Sequence, residues 1–396
     1  MAKPIKLLMI THNYPRFEGD YAGIFISLLA SKLSSYGIEP IVLAPHAKGL
    51  KEYEILNNVK IYRFRYASDE NEIIAYQGNM HKLVLGSVTG IFQFKRFLNA
   101  FRKNAYEVIE KEKIDVLAGH WLVPAGMVMK PIHKKLKIPM IMSSHGTDIR
   151  LMRKYFRALY QYLKPFCIRL KSWTVVSSFL KNGILDVDKN LSSVLEVLPM
   201  PHDEEIFYLD DTIERDKNLI VAVTRFTEQK RYKVLLSAFA LASAKNKNLR
   251  LDIYATGGDQ MIAESMIEKL GISQSVSIKK PVPQSELRMV YNHAGMVVLN
   301  SYAEGFGLAL SEAMLCGAAV IGTSSGGITD IIQHEKTGLL VELDNAENLA
   351  DAMIDLSTND AKREQLARAG NKFAQETYQS EPLAKRYAEI VKSALQ

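Results

Sequence analysis

The chain has 396 residues, 47% hydrophobic and 23% charged, with a net charge of +7: an ordinary globular composition, long enough for two domains. It has no run of about 18 apolar residues, so no spanning helix is expected, and its apolar start, Ile5 to Ile10, is too short for a secretory leader. Only Cys167 and Cys316 occur, far apart and in no metal-ligand spacing, which speaks against a disulfide framework and fits a reducing compartment with both thiols packed as small hydrophobes.

Ile5–Ile10 reads as a first buried strand, followed by the loop Thr11 to Gly23 and a helix to about Tyr36. Gly19 and Gly23 permit close backbone approach to a ligand at the start of that helix. The loop lacks the G-x-G-x-x-G dinucleotide fingerprint, so a nicotinamide cofactor has little support. Pro40–Ala44 is a second strand, and Val59–Tyr66 alternates as a strand should. A helix from about Gly90 to Lys113 leads to the strand Asp115–His120, which ends at His120-Trp121. Pro139–Ser144 runs into His145-Gly146-Thr147-Asp148, and Trp173–Ser178 and Leu195–Leu198 supply later strands. Regular strand–helix alternation implies a parallel sheet covered on both faces.

Charge is unevenly spread. Arg150 to Lys171 holds seven Lys/Arg and no acid, interleaved with Tyr155, Phe156, Tyr160, Tyr162 and Phe166; residues 91–103 are likewise basic and aromatic. This composition suits an anionic membrane surface, where each nearby cation contributes about 1 kcal/mol. A helix with a solvated basic face and a core-facing aromatic stripe has the same composition, and a nucleic-acid backbone is the third alternative.

Pro199 to Asp216 is proline-rich and acidic and reads as a linker. A second domain then opens at Asn218–Thr224 and continues through strands Leu249–Ala255, Val276–Lys279, Met296–Asn300, Ala319–Thr323 and Leu339–Glu342. Helices dominate from Glu347, the last around Pro382–Leu395. The expected boundaries are 1–200, a linker at 201–217, a second domain at 218–380 and a terminal helix at 381–396.

Ligands of open parallel sheets bind beyond the carboxyl ends of the strands, and the candidate stretches all follow expected strands. Arg225 and Lys230 come after the opening strand of the second domain, and Val282 lies in Lys280-Pro281-Val282-Pro283 after another. Glu304 and Glu312 stand eight positions apart. Glu304 sits on a strand-to-helix loop and Glu312 inside the helix. The amides of Gly305, Phe306, Gly307 and Leu308 lie between them. Amides at a helix start take phosphates, and carboxylates take hydroxyls through charge-assisted hydrogen bonds. That layout suits a nucleotide-sugar, with hydroxyls at both ends of a pyrophosphate. Gly326 and Gly327 precede a further helix and read as a second amide cluster.

With these stretches the chain resembles, over almost its whole length, the retaining glycosyltransferases of glycosyltransferase family four. The resemblance implies an α/β, GT-B architecture: two Rossmann-like domains with parallel sheets facing each other across a cleft, and a last helix crossing back to the first domain. His145-Gly146-Thr147-Asp148 resembles the family's His-Gly-x-Asp, whose histidine faces the donor sugar; the alternative is a histidine that caps the next helix with Asp148. His120 and Asp148 fall on the acceptor side, and the loop at Gly19 and Gly23 near the donor phosphates. Arg225-Phe-Thr-Glu-Gln-Lys230 looks like the stretch whose Arg and Lys clamp the diphosphate, with Thr224 in place of the usual glycine. Two such cations neutralise the charge building on the β-phosphate without a metal. Backbone groups around Val282 would hold the base, leaving uracil and guanine unseparated.

The expectation is therefore a retaining, metal-independent transfer from a UDP- or GDP-sugar to a glycan or lipid-linked acceptor, in polysaccharide or glycolipid synthesis. His145, Glu304, Arg225 and Lys230 are the expected catalytic groups, with Glu304 on the transferred sugar and Glu312 on the ribose. No cofactor beyond the nucleotide-sugar and no nucleic acid is expected. The place of action is the cytoplasm, peripheral to the inner membrane face through 150–171 and 91–103. A soluble small-molecule acceptor and a nucleotide-sugar epimerase of the same fold are the alternatives.

Overall fold

Strands that are apolar on both faces bury them only by lying side by side beneath helices. In the computed structural model, which describes residues 3–17, 19–76, 80–154 and 157–396, this chain does so twice. One unit comprises Met1–Pro201 with Ser380–Gln396, the other His202–Gln379.

The first unit holds β1 (Ile5–Ile10), β2 (Ile38–Pro45), β3 (Tyr53–Leu56), β4 (Val59–Phe64), β5 (Val116–His120), β6 (Met140–Ser144), β7 (Ser172–Val175) and β8 (Leu195–Val197). They lie in the order β3-β4-β2-β1-β5-β6-β7-β8. Pairing is parallel except that β3 runs antiparallel to β4. β3 was not expected from the sequence: three of its four residues are exposed, so it carries no burial pattern. Leu7 and Met9 of β1 pack with Ile26, Leu29 and Leu33 of the helix Ile24–Leu33, and with Ala384, Tyr387 and Val391 of the helix Ser380–Ser393.

The second unit is built on β9 (Asp216–Phe226), β10 (Arg250–Gly258), β11 (Val276–Lys279), β12 (Ala294–Leu299), β13 (Ala319–Thr323) and β14 (Leu339–Val341). All are parallel, in the order β11-β10-β9-β12-β13-β14. These two parallel-sheet α/β units are the fold class expected from the sequence.

Several boundaries move, each for a local reason. Residues 202–215, expected to fall within a linker, are packed into the second unit: Phe207 is buried. The Arg215 guanidinium donates to the carbonyls of Tyr291, Ala294 and Cys316 at 3.1, 2.6 and 2.8 Å. β9 accordingly starts at Asp216 rather than Asn218. β7 stops at Val175, and Ser177 Oγ accepts from the Leu180 amide to cap the helix Ser178–Leu185. The helix expected at Gly90 begins at Val88, where Ser87 Oγ accepts from the Gly90 amide at 3.0 Å. Cys167 and Cys316 are free and buried, and burial pushes both thiols up to about 12. Among the described residues no helix is long and apolar enough to cross a membrane.

Candidate active site

In the second unit β9 and β12 are neighbours, so the loops leaving their carboxyl ends meet. Arg225, the penultimate residue of β9, is exposed, and Lys230 follows in the short helix Glu228–Lys230. Glu304 lies beyond β12, and its carboxylate is ion-paired with the Lys230 ammonium and accepts from Ser301 Oγ at 2.9 Å. Burial pushes the Glu304 carboxyl up, but Lys230, Ser301 and the charge of Arg225 outweigh it and hold it below the usual range. Arg225, Lys230 and Glu304 therefore form one electrostatic group, in which Glu304 is a carboxylate at neutral pH. Its loop is tied down: the Tyr302 amide donates to Gln229 O at 2.7 Å and the Ala303 amide to Ser325 Oγ at 3.0 Å.

Immediately after Glu304 the helix Leu308–Leu315 begins, with Gly307 at φ +123° before it. First-turn amides of a helix have no intrahelical acceptor, so Leu308 stands where an anion is favoured. Phe306 does not face outward: it is buried against His202 and Tyr378, with ring centroids 6.4 and 5.5 Å away. Gly305 sits half-buried between it and Glu304. Val282 is half-buried on the loop after β11. No interaction in the structure assigns it a role.

Gly326 and Gly327 do not supply a second amide cluster. The Gly327 amide is spent on Glu304 O at 2.7 Å. A Cβ on Gly326, which has φ +68°, would stand 2.4 Å from the Glu304 amide nitrogen and carbonyl oxygen. These glycines let the loop after β13 press against the Glu304 loop and fix it.

Glu312 differs from Glu304 in state. It is 8% exposed, and the contact that supports it is the Tyr291 hydroxyl, which donates to Oε2 at 3.2 Å. Burial raises its carboxyl to about 8, with Tyr291 opposing. Glu312 is therefore a neutral acid at pH 7 rather than the carboxylate the sequence suggested.

In the first unit the carboxyl ends of β1, β5 and β6 bring three imidazoles and an indole together. The His145 ring lies 4.5 Å from Trp121 and 4.8 Å from Phe25, and His12 stands edge-on to Trp121 at 4.7 Å. Trp121 reaches this place through φ +63°, an uncommon conformation for a bulky residue. His120 Nδ1 is 3.1 Å from His145 Nε2, with the rings stacked. Burial lowers His12 to about 4 and His120 to about 3, and lowers His145 well below its ordinary value. All three are neutral at pH 7. One ring of the His120–His145 pair must then donate its single proton to the other, so the outward nitrogens, His120 Nε2 and His145 Nδ1, are always of opposite kind. Neither has a partner among the described residues.

His120, expected on the acceptor side, is 1% exposed and sits behind His145 as its support. Asp148, expected beside it, is also buried. Its oxygens accept from the amides of Leu122 at 2.7 Å and Gly146 at 3.2 Å, so it fastens two loops. Burial raises its carboxyl, opposed by these bonds and one from Ser144. Gly23, at φ +66°, begins the first helix where a Cβ would meet Asn13 O at 2.3 Å; its smallness serves chain against chain. Gly19 lies in an exposed turn closed by the Arg16–Asp20 ion pair.

The basic stretches divide internally: in 91–103 Phe97 and Phe101 are buried while Ile91 and Phe92 are exposed, and in 150–171 Tyr162 is exposed. In 150–171, Tyr160 and Phe166 are buried and Lys164 is held by Asp188 at 2.9 Å, the core-facing stripe left open by composition. Tyr155 and Phe156, and the side chains of Arg153, Lys154 and Arg157, lie outside the described residues. Sequence reasoning missed Ser301, Tyr291, His12 and Phe25 as partners of the site. Trp121, beside His120, did carry a signal.

Comparison with known proteins divides the chain along similar lines. The model described as Glycosyltransferase Family 4 matches residues 22–205, and that described as Glycosyl transferases group 1 matches residues 209–373. N-acetyl-alpha-D-glucosaminyl L-malate synthase of Bacillus anthracis is 24% identical over 315 residues, covering 76% of this chain and 80% of that protein. A D-inositol 3-phosphate glycosyltransferase of Corynebacterium urealyticum is 32% identical over 178 residues, 43% of this chain and 42% of that one. Among solved structures, the sucrose-phosphate synthase of Thermosynechococcus elongatus has a TM-score of 0.81 at 17% identity, over 98% of both chains. Anabaena HepE in complex with UDP and glucose has a TM-score of 0.74 at 14% identity, over 98% of this chain and all of that one. At these identities the structural likeness bears on the fold, which is GT-B.

Proposed function

The chain belongs to glycosyltransferase family four and is a glycosyltransferase; on that premise we propose retaining, metal-independent transfer of a sugar from a UDP- or GDP-sugar to a glycan or lipid-linked acceptor. One observation carries this reading: two cations and an ionised carboxylate, Arg225, Lys230 and Glu304, gathered at the carboxyl edge of the second sheet beside a helix start.

In the proposed reaction the bond between the sugar anomeric carbon and the β-phosphate oxygen breaks, and its electron pair stays on that oxygen. Arg225, Lys230 and the amides of Gly307 and Leu308 balance the new charge. An acceptor hydroxyl forms the new bond from the same face, and its proton passes to the departing phosphate, so no carboxylate nucleophile is required. Glu304 holds hydroxyls of the transferred sugar, which frees Lys230 from its ion pair as the diphosphate arrives. Glu312 takes the ribose hydroxyls, and Val282 stands on the loop that holds the base. His145, neutral and with an Nδ1 that has no partner among the described residues, is the first unit's candidate for a sugar hydroxyl.

A UDP-bound neighbour and a named UDP-glucose complex of the same protein support a uridine donor. The names of the relatives favour a second reading of the acceptor, a small soluble molecule such as a hydroxy acid or an inositol phosphate. The cytoplasm, where nucleotide-sugars would be met, is the proposed place of action.

A thermal-shift screen of UDP-, GDP- and ADP-sugars identifies the donor, because a bound ligand raises stability by mass action. Transfer is then followed as nucleoside diphosphate release with and without EDTA, and the product anomer is read by NMR. Glu304→Ala should abolish transfer in a folded protein. Unimpaired turnover would refute the assignment, and loss of turnover with EDTA would refute metal independence.

A further inference from the structure

The helix Val88–Glu112 is longer than the sheet it covers. Its last turn sits at the amino end of β1, where Lys6 Nζ donates to Glu112 O at 2.8 Å. Phe97 and Phe101 pack on Phe64, the last residue of β4, at 5.3 and 4.3 Å, and Phe97 also meets Tyr66 beyond it. At Phe97 the helix has therefore reached the carboxyl edge of the sheet. The nine residues before it, 88–96, extend about 13 Å further. That is the edge where His12, Trp121 and His145 lie.

The short helix Met80–Gly86 packs on one side of this end, with the Leu83 backbone against Gly90, and the other side exposes apolar side chains that a soluble helix would bury. Val88 is 71% exposed, Ile91 56% and Phe92 63%. At helical spacing on the same side come Lys95 and Arg96, both exposed, then Lys103. No acidic residue occurs between Val88 and Tyr106. Among the described residues neither Lys95 nor Arg96 has a carboxylate partner. An apolar tip followed one turn later by unpaired cations is the order met on entering an anionic bilayer, acyl region first and headgroups second.

We propose that residues 88–96 dock the first unit on an anionic lipid surface, with Val88, Ile91 and Phe92 inserted and Lys95 and Arg96 at headgroup level. Charge complementarity favours lipid over a second copy of this +7 chain. So does area: a stable dimer needs about 1,000 Å² of buried surface, more than three side chains supply, whereas a bilayer accepts a tip of any width. The docked surface lies at the edge carrying the imidazole cluster, which places a lipid-linked acceptor within reach of it. Vesicle binding itself does not depend on the identity of the sugar transferred.

The test is co-sedimentation of the full chain with phosphatidylcholine vesicles, with and without one third phosphatidylglycerol, at low and high salt. Wild type should bind the anionic vesicles preferentially and weaken in salt. Ile91→Ser/Phe92→Ser and Lys95→Glu/Arg96→Glu should each lower partitioning at least about tenfold. Melting temperature and nucleotide binding should stay unchanged in both. Equal binding to neutral vesicles, or either double variant binding like wild type, overturns the proposal. So does a wild-type dimer that Phe92→Ser dissociates, which would make this face an interface between copies. Nucleotide binding measured in parallel keeps this outcome separate from that of the donor site.

Discussion

Replacing Glu312 by Gln should change stability in a strongly pH-dependent way, increasingly in favour of the variant as pH rises. The folded carboxyl titrates near 8 and its unfolded counterpart near 4.5. The folded state thus holds the proton more tightly, and stability falls as pH rises from about 4.5 to about 8, then levels off. Each pH unit in that window is worth about 1.4 kcal/mol. The wild type therefore loses about 3 kcal/mol by pH 7, and about 5 kcal/mol once the group is ionised in both states. Glutamine keeps an oxygen for the Tyr291 hydroxyl but does not titrate. Its buried NH2 adds an unmet donor costing about 1–3 kcal/mol at every pH. The slope, not the offset, is the signature. In thermal melts from pH 5 to 9 the variant's melting temperature should climb relative to wild type as pH rises to about 8, by roughly 2–4 °C for each kcal/mol in a unit of this size. Nucleoside diphosphate binding at pH 7 should release a proton from wild type, because ribose hydroxyls favour the carboxylate. Calorimetry in buffers of different ionisation heat reads that release, and Glu312→Gln should lack it. Parallel melting curves, with a difference independent of pH, would refute the reasoning.

Arg225→Ala and Lys230→Ala should each lower kcat/KM by roughly 10²–10³, the scale of losing one preorganised donor to developing charge, as read by nucleotide release. His145→Ala should lower kcat more than donor KM. Because His12, His120 and His145 stay neutral, the wild-type rate should show no imidazole step as pH falls from about 7.5 to 5.5; a clear step there would contradict their burial. Gly326→Ala should displace the Glu304 loop, since a Cβ there would lie 2.4 Å from Glu304 backbone atoms. The strained φ alone costs roughly 1–2 kcal/mol, visible as a lower melting temperature, and donor affinity should fall about tenfold or more.

The strands were legible because both of their faces are buried, so apolar runs such as Leu7–Ile10 and Met296–Leu299 have no other stable home. Arg225, Lys230 and Glu304 were legible because they punctuate strand ends, where an open parallel sheet binds its ligands. β3 was not, since an exposed edge strand has no apolar alternation, and neither was the packing of 202–215, which rests on Arg215 finding carbonyls far along the chain.

By itself the sequence determined the two-sheet plan and the residue types at each strand end, because those follow from local hydrophobic period and turn chemistry. Tertiary structure alone decided what state those residues are in. Glu304 is ionised because a lysine and a serine meet it, and Glu312 is protonated because it is buried with, among the described residues, a tyrosine hydroxyl as its one hydrogen-bond partner. Each of the two basic aromatic stretches divides internally in the same way, Tyr160, Phe166, Phe97 and Phe101 in the core but Tyr162, Ile91 and Phe92 in solvent. Charge state and burial depend on neighbours brought from distant positions, and no local pattern encodes which neighbours arrive.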